Sequence, residues 1–184
     1  MEDLYFIEIM DSKEIWELLK DQKWQTEENI SDLVRLAKEA AGVNSIIVDI
    51  GIGGATSACA MALASGCPVY SIGEQVAPIA VDTVIRLGLE GRVFFCAGES
   101  DNVWKSWDRL VNLVFIDGMH TYDAVTSDAE KWNDWIKYGG ILAFHDYDLY
   151  RNTIGKAIDD FYEAHKEDYK PLKTGFNIKA FQKI

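Results

Sequence analysis

From Ser45 onward, short runs of β-branched and aromatic residues alternate with stretches of helical periodicity, and this alternation leaves few folds open to the chain. Ile46-Ile47-Val48, Val69-Tyr70-Ser71-Ile72, Val93-Phe94-Phe95-Cys96, Val111 to Ile116 and Ile141-Leu142-Ala143-Phe144 are nearly continuous in apolar character. Strands covered on both faces read this way, whereas half-exposed strands alternate polar with apolar. Between the runs lie an alanine-rich stretch from Ala55 to Ala64 and a second stretch from Val76 to Leu87. Val125, Ala129, Trp132 and Ile136 share one stripe of a helix expected over Tyr122 to Lys137. Ile154, Ala157, Ile158 and Phe161 mark another. Gly66, Gly88 and the pair Gly139-Gly140 read as helix stops. The tail around Phe176 to Phe181 alternates weakly and reads as closing strands. The expectation is an α/β chain with a doubly wound, mostly parallel seven-stranded sheet in three α/β/α layers.

Seven strands of about five residues and six helices of about eleven take up roughly 100 residues. A dozen connections add roughly 60 more. The 184 residues therefore hold one domain, with little left for a separate lid. Residues 45–184 form the core, and residues 1–44 a helical extension packed on it. In that extension Ile15, Leu18 and Leu19 share one face, Ile30, Leu33, Val34 and Ala37 another, and Thr26 is placed to cap the second helix.

With 30 acidic against 18 basic residues and a net charge of −12, the chain lacks the clustered Lys and Arg of a nucleic-acid surface. No apolar run reaches the roughly 20 residues of a membrane span, and Met1-Glu2-Asp3 is not the basic start of a signal peptide. Cys59, Cys67 and Cys96 lack metal-ligand spacing and are expected as reduced thiols in a cytoplasmic protein. The partner expected is a small molecule, with a homodimer left open.

In an open parallel sheet, ligands bind beyond the carboxyl ends of the strands. The first strand runs into Asp49-Ile50-Gly51-Ile52-Gly53-Gly54-Ala55-Thr56, where glycines permit a tight turn and close approach to a ligand. A dinucleotide fingerprint would need a third glycine at Thr56, and Asp49 would repel a pyrophosphate while suiting a cationic ligand. A nicotinamide-dependent oxidoreductase is disfavoured on both counts. The order of these segments resembles the class I, Rossmann-like S-adenosylmethionine-dependent methyltransferases, over roughly residues 45–184. Asp49, Gly51 and Gly53 match that family's acid and G-x-G turn, and Ala55 stands where a third glycine is common. The resemblance implies S-adenosylmethionine as cofactor. It makes Glu74 the acid for the ribose hydroxyls, one position later than the family pattern, and Glu99 with Ser100 the contacts to adenine.

Two further strand ends carry the reaction chemistry. Phe115-Ile116-Asp117-Gly118-Met119-His120 and Phe144-His145-Asp146-Tyr147 place two of the chain's three histidines, each beside an aspartate, at one edge of the expected sheet. Carboxylates and imidazole together suit a divalent cation such as Mg²⁺, and His120 is spaced to take a proton. The spacing resembles small metal-dependent O-methyltransferases of the catechol type and those acting on sugars. The resemblance implies Asp117 as a metal ligand that also borders the cofactor, His120 as general base, and His145 with Asp146 as the second ligand pair, His145 replacing an oxygen donor. The expected activity is methyl transfer to a small-molecule hydroxyl. A cofactor-binding accessory protein without transferase activity is the alternative.

Overall fold

The computed structural model describes residues 9–22 and 24–184. Met1-Glu2-Asp3 and the rest of residues 1–8 lie outside it, as does Lys23. The sheet has β1 (Ile47–Ile50) near its centre, with β2 (Val69–Gly73) and β3 (Val93–Ala97) on one side and β4 (Val111–Ile116) and β5 (Ile136–Phe144) on the other. These five strands are parallel. β7 (Lys179–Lys183) adds antiparallel to β5, and β6 (Tyr169–Leu172) antiparallel to β7, giving the order β3-β2-β1-β4-β5-β7-β6. The seven-stranded, mostly parallel architecture is the one the sequence predicts.

The period-two alternation of the strands divides the core into two layers. Ile47, Leu113, Phe115, Ile141 and Ala143 point toward α1 (Ser12–Leu19), α2 (Glu27–Ala40), α3 (Thr56–Ser65) and α4 (Pro78–Arg86). Val48, Ile50, Val114, Ile116, Leu142 and Phe144 point toward α5 (Ser100–Lys105), α6 (Tyr122–Asn133) and α7 (Lys156–His165). Every residue of α3 is buried, since it lies between the sheet and α1 and α2. Its alanines let the flanking helices approach, and a helix apolar all round belongs in such a position. Asp11 and Thr26 start α1 and α2 with reciprocal capping boxes, closed by Glu14 and Asn29. No helix among the described residues is long and apolar enough to cross a membrane.

The structure departs from expectation in three places. α5 has no counterpart among the helices expected, and the closing strands lie at Tyr169–Leu172 and Lys179–Lys183, on either side of the Phe176 turn. One boundary also moves after α6. The helix expected to reach Lys137 stops at Asn133, and Gly139-Gly140 lies inside β5 rather than ending a helix. Ile136 pairs with Val111, and the register then shifts before Leu113 meets Ile141. The intervening residues form a bulge in which Gly139 has φ of +78°. Ile136 is buried in the same layer as Val125, Ala129 and Trp132, so it completes the helical stripe in sequence while belonging to the strand in space. A Cβ on Gly140 would lie 2.9 Å from both the Ile136 side chain and the Lys137 carbonyl oxygen, whereas one on Gly91 would meet nothing within 4 Å. Gly140→Ala is therefore expected to lower the unfolding free energy by about 1–3 kcal/mol in denaturant titration, with Gly91→Ala within about 0.5 kcal/mol of the parent.

Candidate active site

β1 and β4 are adjacent, yet the chain leaves β1 for α3 on one face and β4 for α6 on the other. A crevice must open where the connections part. A Cβ on Gly51 would sit 2.0 Å from the Asp117 carbonyl oxygen, so only glycine lets the two strand ends meet. Gly51 has φ of +114°, Gly53 +47° and Ala55 +60°. Ala55 thus holds the left-handed conformation that the glycine it replaces would adopt without strain, at a cost of about 1 kcal/mol. The crevice is a cleft of about 870 Å³.

One end of the cleft gathers Asp117, His120 and Asp146. His120 Nε2 lies 3.0 Å from Asp146 Oδ2 and 3.7 Å from Asp117 Oδ1. One ligand-type atom from each of the three falls within 4.8 Å of the others. Asp146 takes φ of +61°, an uncommon backbone for a residue other than glycine, which brings its carboxylate back toward β4. Behind this group His145 Nδ1 contacts Asp117 Oδ1 at 3.2 Å and Asp146 Oδ1 at 3.3 Å, while its Nε2 faces Asn29 Oδ1 at 3.3 Å. Asn177 Nδ2 donates to Asp146 Oδ1 at 3.0 Å.

These contacts set the charges. Burial opposes protonation of His145, but its hydrogen bonds to Asp117 and Asp146 outweigh it and raise the imidazole to about 9. Burial alone would raise the Asp146 carboxyl, yet the hydrogen bonds from His145 and Asn177 hold it below its ordinary range. His120 is raised, chiefly by the neighbouring Asp117 carboxylate, against partial burial and with help from the charge on Asp146. With both nitrogens of His145 engaged, the imidazole that joins the two aspartates as a candidate metal ligand is His120, the residue expected as base, and not His145.

The remaining predicted residues divide between the cleft wall and its support. Gly51, Gly53, Glu74, Glu99, Ser100 and Asp117 all line the cleft. Asp49 does not. It is fully buried on the α3 side of the sheet, where Ser57 and Ser71 donate to its two carboxylate oxygens at 2.8 and 2.7 Å. Burial raises Asp49 to about 7 against those two hydrogen bonds, with the charge of Asp117 adding to the shift. The cleft carboxylate nearest the glycine turn is therefore Asp117.

Four residues of the cleft wall were not singled out from the sequence. Gln25 Nε2 donates to Asp117 Oδ2 at 3.0 Å, and its own Oε1 is buried with no partner. Trp24 covers the glycine turn, where a Cβ on Gly54 would come within 2.7 Å of its indole nitrogen. Asn29 and Asn177 hold His145 and Asp146 from opposite ends of the chain. Asn29 did carry a signal: it is a polar residue on the stripe it shares with Leu33 and Leu36.

Both raised groups act in one direction on stability. Between about pH 4 and 7 the unfolded chain releases the Asp49 proton while the folded chain keeps it. Between about pH 6.5 and 9 the same holds for His145, whose contribution is fully present below 6.5 and lost as pH rises through 9. In chelator, the melting temperature is expected to fall steadily from pH 5 to pH 9. His145→Gln should flatten the upper half of that decline, and a profile flat over the whole range would contradict the assignment.

Residues 33–147 match a family described as a methyltransferase domain. Among solved structures, the chain is similar to the O-methyltransferase TomG of Streptomyces achromogenes, involved in tomaymycin synthesis and solved with S-adenosylmethionine, at 14% identity and a TM-score of 0.73 over 94% of this chain and 88% of that one. It is similar to an O-methyltransferase of Bacillus cereus in complex with S-adenosylhomocysteine, at 18% identity and 0.69 over 98% and 94%. An rRNA methylase of Streptococcus thermophilus shares the fold at 17% identity and 0.68 over 84% and 96%. At such identities these likenesses show the fold, whereas the family match spans well over half of the sequence, and the chain belongs to that methyltransferase-domain family.

Proposed function

We propose that the protein transfers a methyl group from S-adenosylmethionine to a hydroxyl of a small molecule, assisted by a divalent cation. The observation that carries this reading is the convergence of Asp117, His120 and Asp146 at the edge of the cleft that opens beside the glycine turn. The rest of the cleft fits the cofactor. The N-terminus of α3 opens into it with no side-chain cap, and the buried hydroxyl of Thr56 there has no partner. Free amides at a helix start and an unpaired hydroxyl suit the carboxylate of an amino-acid moiety. Asp117 offers negative charge to an ammonium or sulfonium nearby.

The donor set at the reacting end fits a cation as well: two carboxylates, one of them held below its ordinary range. Asp117 and Asp146 would hold a divalent cation, which would polarise the acceptor hydroxyl and lower its pKa. His120 accepts the hydroxyl proton as the oxygen bonds to the methyl carbon and the carbon–sulfur bond breaks, its electron pair returning to sulfur. The cleft walls hold oxygen, carbon and sulfur in line, and this alignment is the larger contribution because the sulfonium is already a good leaving group. Gln25, Asn29 and Asn177 hold the carboxylates and His145 in place. A single lone pair on His120 cannot serve both proton and metal. As the base, it leaves the metal to the aspartates.

His120→Ala is expected to lower turnover at least about 100-fold while leaving the affinity for S-adenosylhomocysteine within about twofold. In the metal-free protein the His120 imidazole should titrate above the ordinary 6.5 of histidine in an NMR titration, because the carboxylates beside it hold its proton. Mg²⁺ on those carboxylates should lower that value. Thermal shifts decide the ligands. S-adenosylhomocysteine at 100 times its dissociation constant should add about 2.7 kcal/mol of stability, and NAD none. A further shift with Mg²⁺ should survive His120→Ala and vanish in Asp146→Asn. Loss of the Mg²⁺ shift in His120→Ala would make His120 a ligand instead of the base.

A further inference from the structure

The two edges of the sheet are finished differently. At one edge β6 carries Lys170 and Pro171, both exposed, and a charge or a proline on an edge strand discourages pairing with a further chain. At the other edge β3 reads Val93-Phe94-Phe95-Cys96-Ala97, with no charge and no proline. Its register with β2 runs unbroken over all five residues, so no bulge turns it away. Among the described residues β3 pairs only with β2. An apolar, unprotected edge of this kind is a template for strand addition.

The outward backbone groups of β3 follow from its ladder. The Val69 N–H donates to the Arg92 carbonyl at 2.8 Å and the Gly98 N–H to the Gly73 carbonyl at 2.9 Å. Residues 92, 94, 96 and 98 therefore face β2, while Val93, Phe95 and Ala97 turn their N–H and C=O groups outward. The Val93 N–H is already taken by the Leu89 carbonyl at 2.9 Å, which leaves the N–H groups of Phe95 and Ala97 as donors. The flanks of the edge are apolar as well. α4 buries Ala80 and Val84 in the same layer as Val93. Thr83 and Arg86 tie one side of α4 to Gln22 and to the Leu18 carbonyl. Val81 and Ile85, one turn apart on its other side, are exposed. On the opposite face of the sheet Phe94 is exposed and stacks on Tyr70.

Two copies that each carry a charge of −12 repel, so a contact between them must keep their carboxylates apart. β3 meets that condition against itself. In an antiparallel pair centred on Phe95, that residue exchanges both of its hydrogen bonds with the partner's Phe95. The Ala97 N–H then reaches the partner's Val93 carbonyl. No donor is left over, because the Val93 N–H is the one already satisfied. The same register sets Arg92 opposite the partner's Gly98 and next to the partner's Glu99, so that opposite charges adjoin at both ends of the pair. Its two-fold axis stands perpendicular to the sheet. The stripe of Val81 and Ile85 is thereby turned toward its own copy on one face, and Phe94 toward the partner's Cys96 on the other. We propose that the chain forms a homodimer through this pairing of β3 with β3, which continues one sheet through both subunits. The proposal stands apart from the methyl-transfer reading and does not require it.

The test is sedimentation equilibrium of the intact protein, joined to a cross-link that reads the register. At about 100 µM the parent should weigh twice the 20.7 kDa of the chain, and a monomer at that concentration overturns the proposal. Ala97→Pro removes a donor that β2 does not use, once in each copy, and should weaken association at least about tenfold. Tyr138→Lys, at an exposed aromatic residue of β5, should leave it within about twofold. Phe94→Cys puts a thiol opposite the partner's Cys96, in a non-hydrogen-bonded pair whose Cα atoms lie about 4.5 Å apart, within reach of a disulfide. Oxidised with glutathione disulfide, this variant should run as a covalent dimer on a non-reducing gel. With Cys96→Ser added it should run as a monomer. A dimer that Ala97→Pro leaves at the parent's affinity, or that Phe94→Cys fails to cross-link, forms elsewhere and overturns the assignment. A cross-link that persists without Cys96 overturns it too. Should Ala97→Pro fail to fold, Ile85→Lys takes its place with the same expected loss, and an unchanged affinity again overturns the pairing.

Discussion

The parallel pairing of β1 with β4 is the interaction on which the rest of the site depends. It brings Ile50 alongside Ile116 and, one step further, sets the Gly51 backbone against the Asp117 carbonyl. From that contact the chain departs in opposite directions, and the space left between the departures is the cleft. The glycine is required by the closeness of two main chains here, before any ligand is considered. Asp117 inherits its position from the same contact, since its N–H donates to the Ile50 carbonyl at 2.8 Å. The next strand is locked similarly, with the His145 N–H on the Ile116 carbonyl at 3.0 Å. Two backbone ladders thus deliver Asp117 and His145 to within hydrogen-bonding distance of one another.

The electrostatics of the site follow from crowding. Asp117 and Asp146 face one another across adjacent strand ends, and two carboxylates this close repel unless something positive lies between them. In the described residues the two histidines supply that charge. His145 is largely buried and held from both sides by Asn29 and the carboxylates, while His120 is more exposed and reaches the other oxygen of Asp146 from the cleft side. The inner imidazole is structural and the outer one is available. A cation entering from the cleft would compete with His120 for the carboxylates and leave His145 in place.

Much of this was legible in the sequence because it lies in local patterns. Continuous β-branched runs, glycine stops and the pairing of Asp with His at two strand ends predicted the sheet and the reacting edge. The misplaced boundary after α6 has a simple origin: a bulged strand can continue a helical stripe when both point into one layer, as Ile136 does. Asp49 shows a different limit. Its place beside a glycine turn marks it as a site residue, but the alternation of β1 aims it under α3, where two serines satisfy it. Gln25, Asn29 and Asn177 could not be placed because their contacts span from 31 to 116 positions in the chain. No local pattern encodes a contact of that range.

Asn29 and Asn177 have a consequence for how the molecule becomes competent. One residue comes from the first helices and the other from the turn before the last strand, and both end on the His145–Asp146 pair. The central five strands can pair without either of them. The reacting edge is therefore a joint between the helices that precede the sheet and the turn that precedes β7, and the carboxylates are held only when both are packed against it.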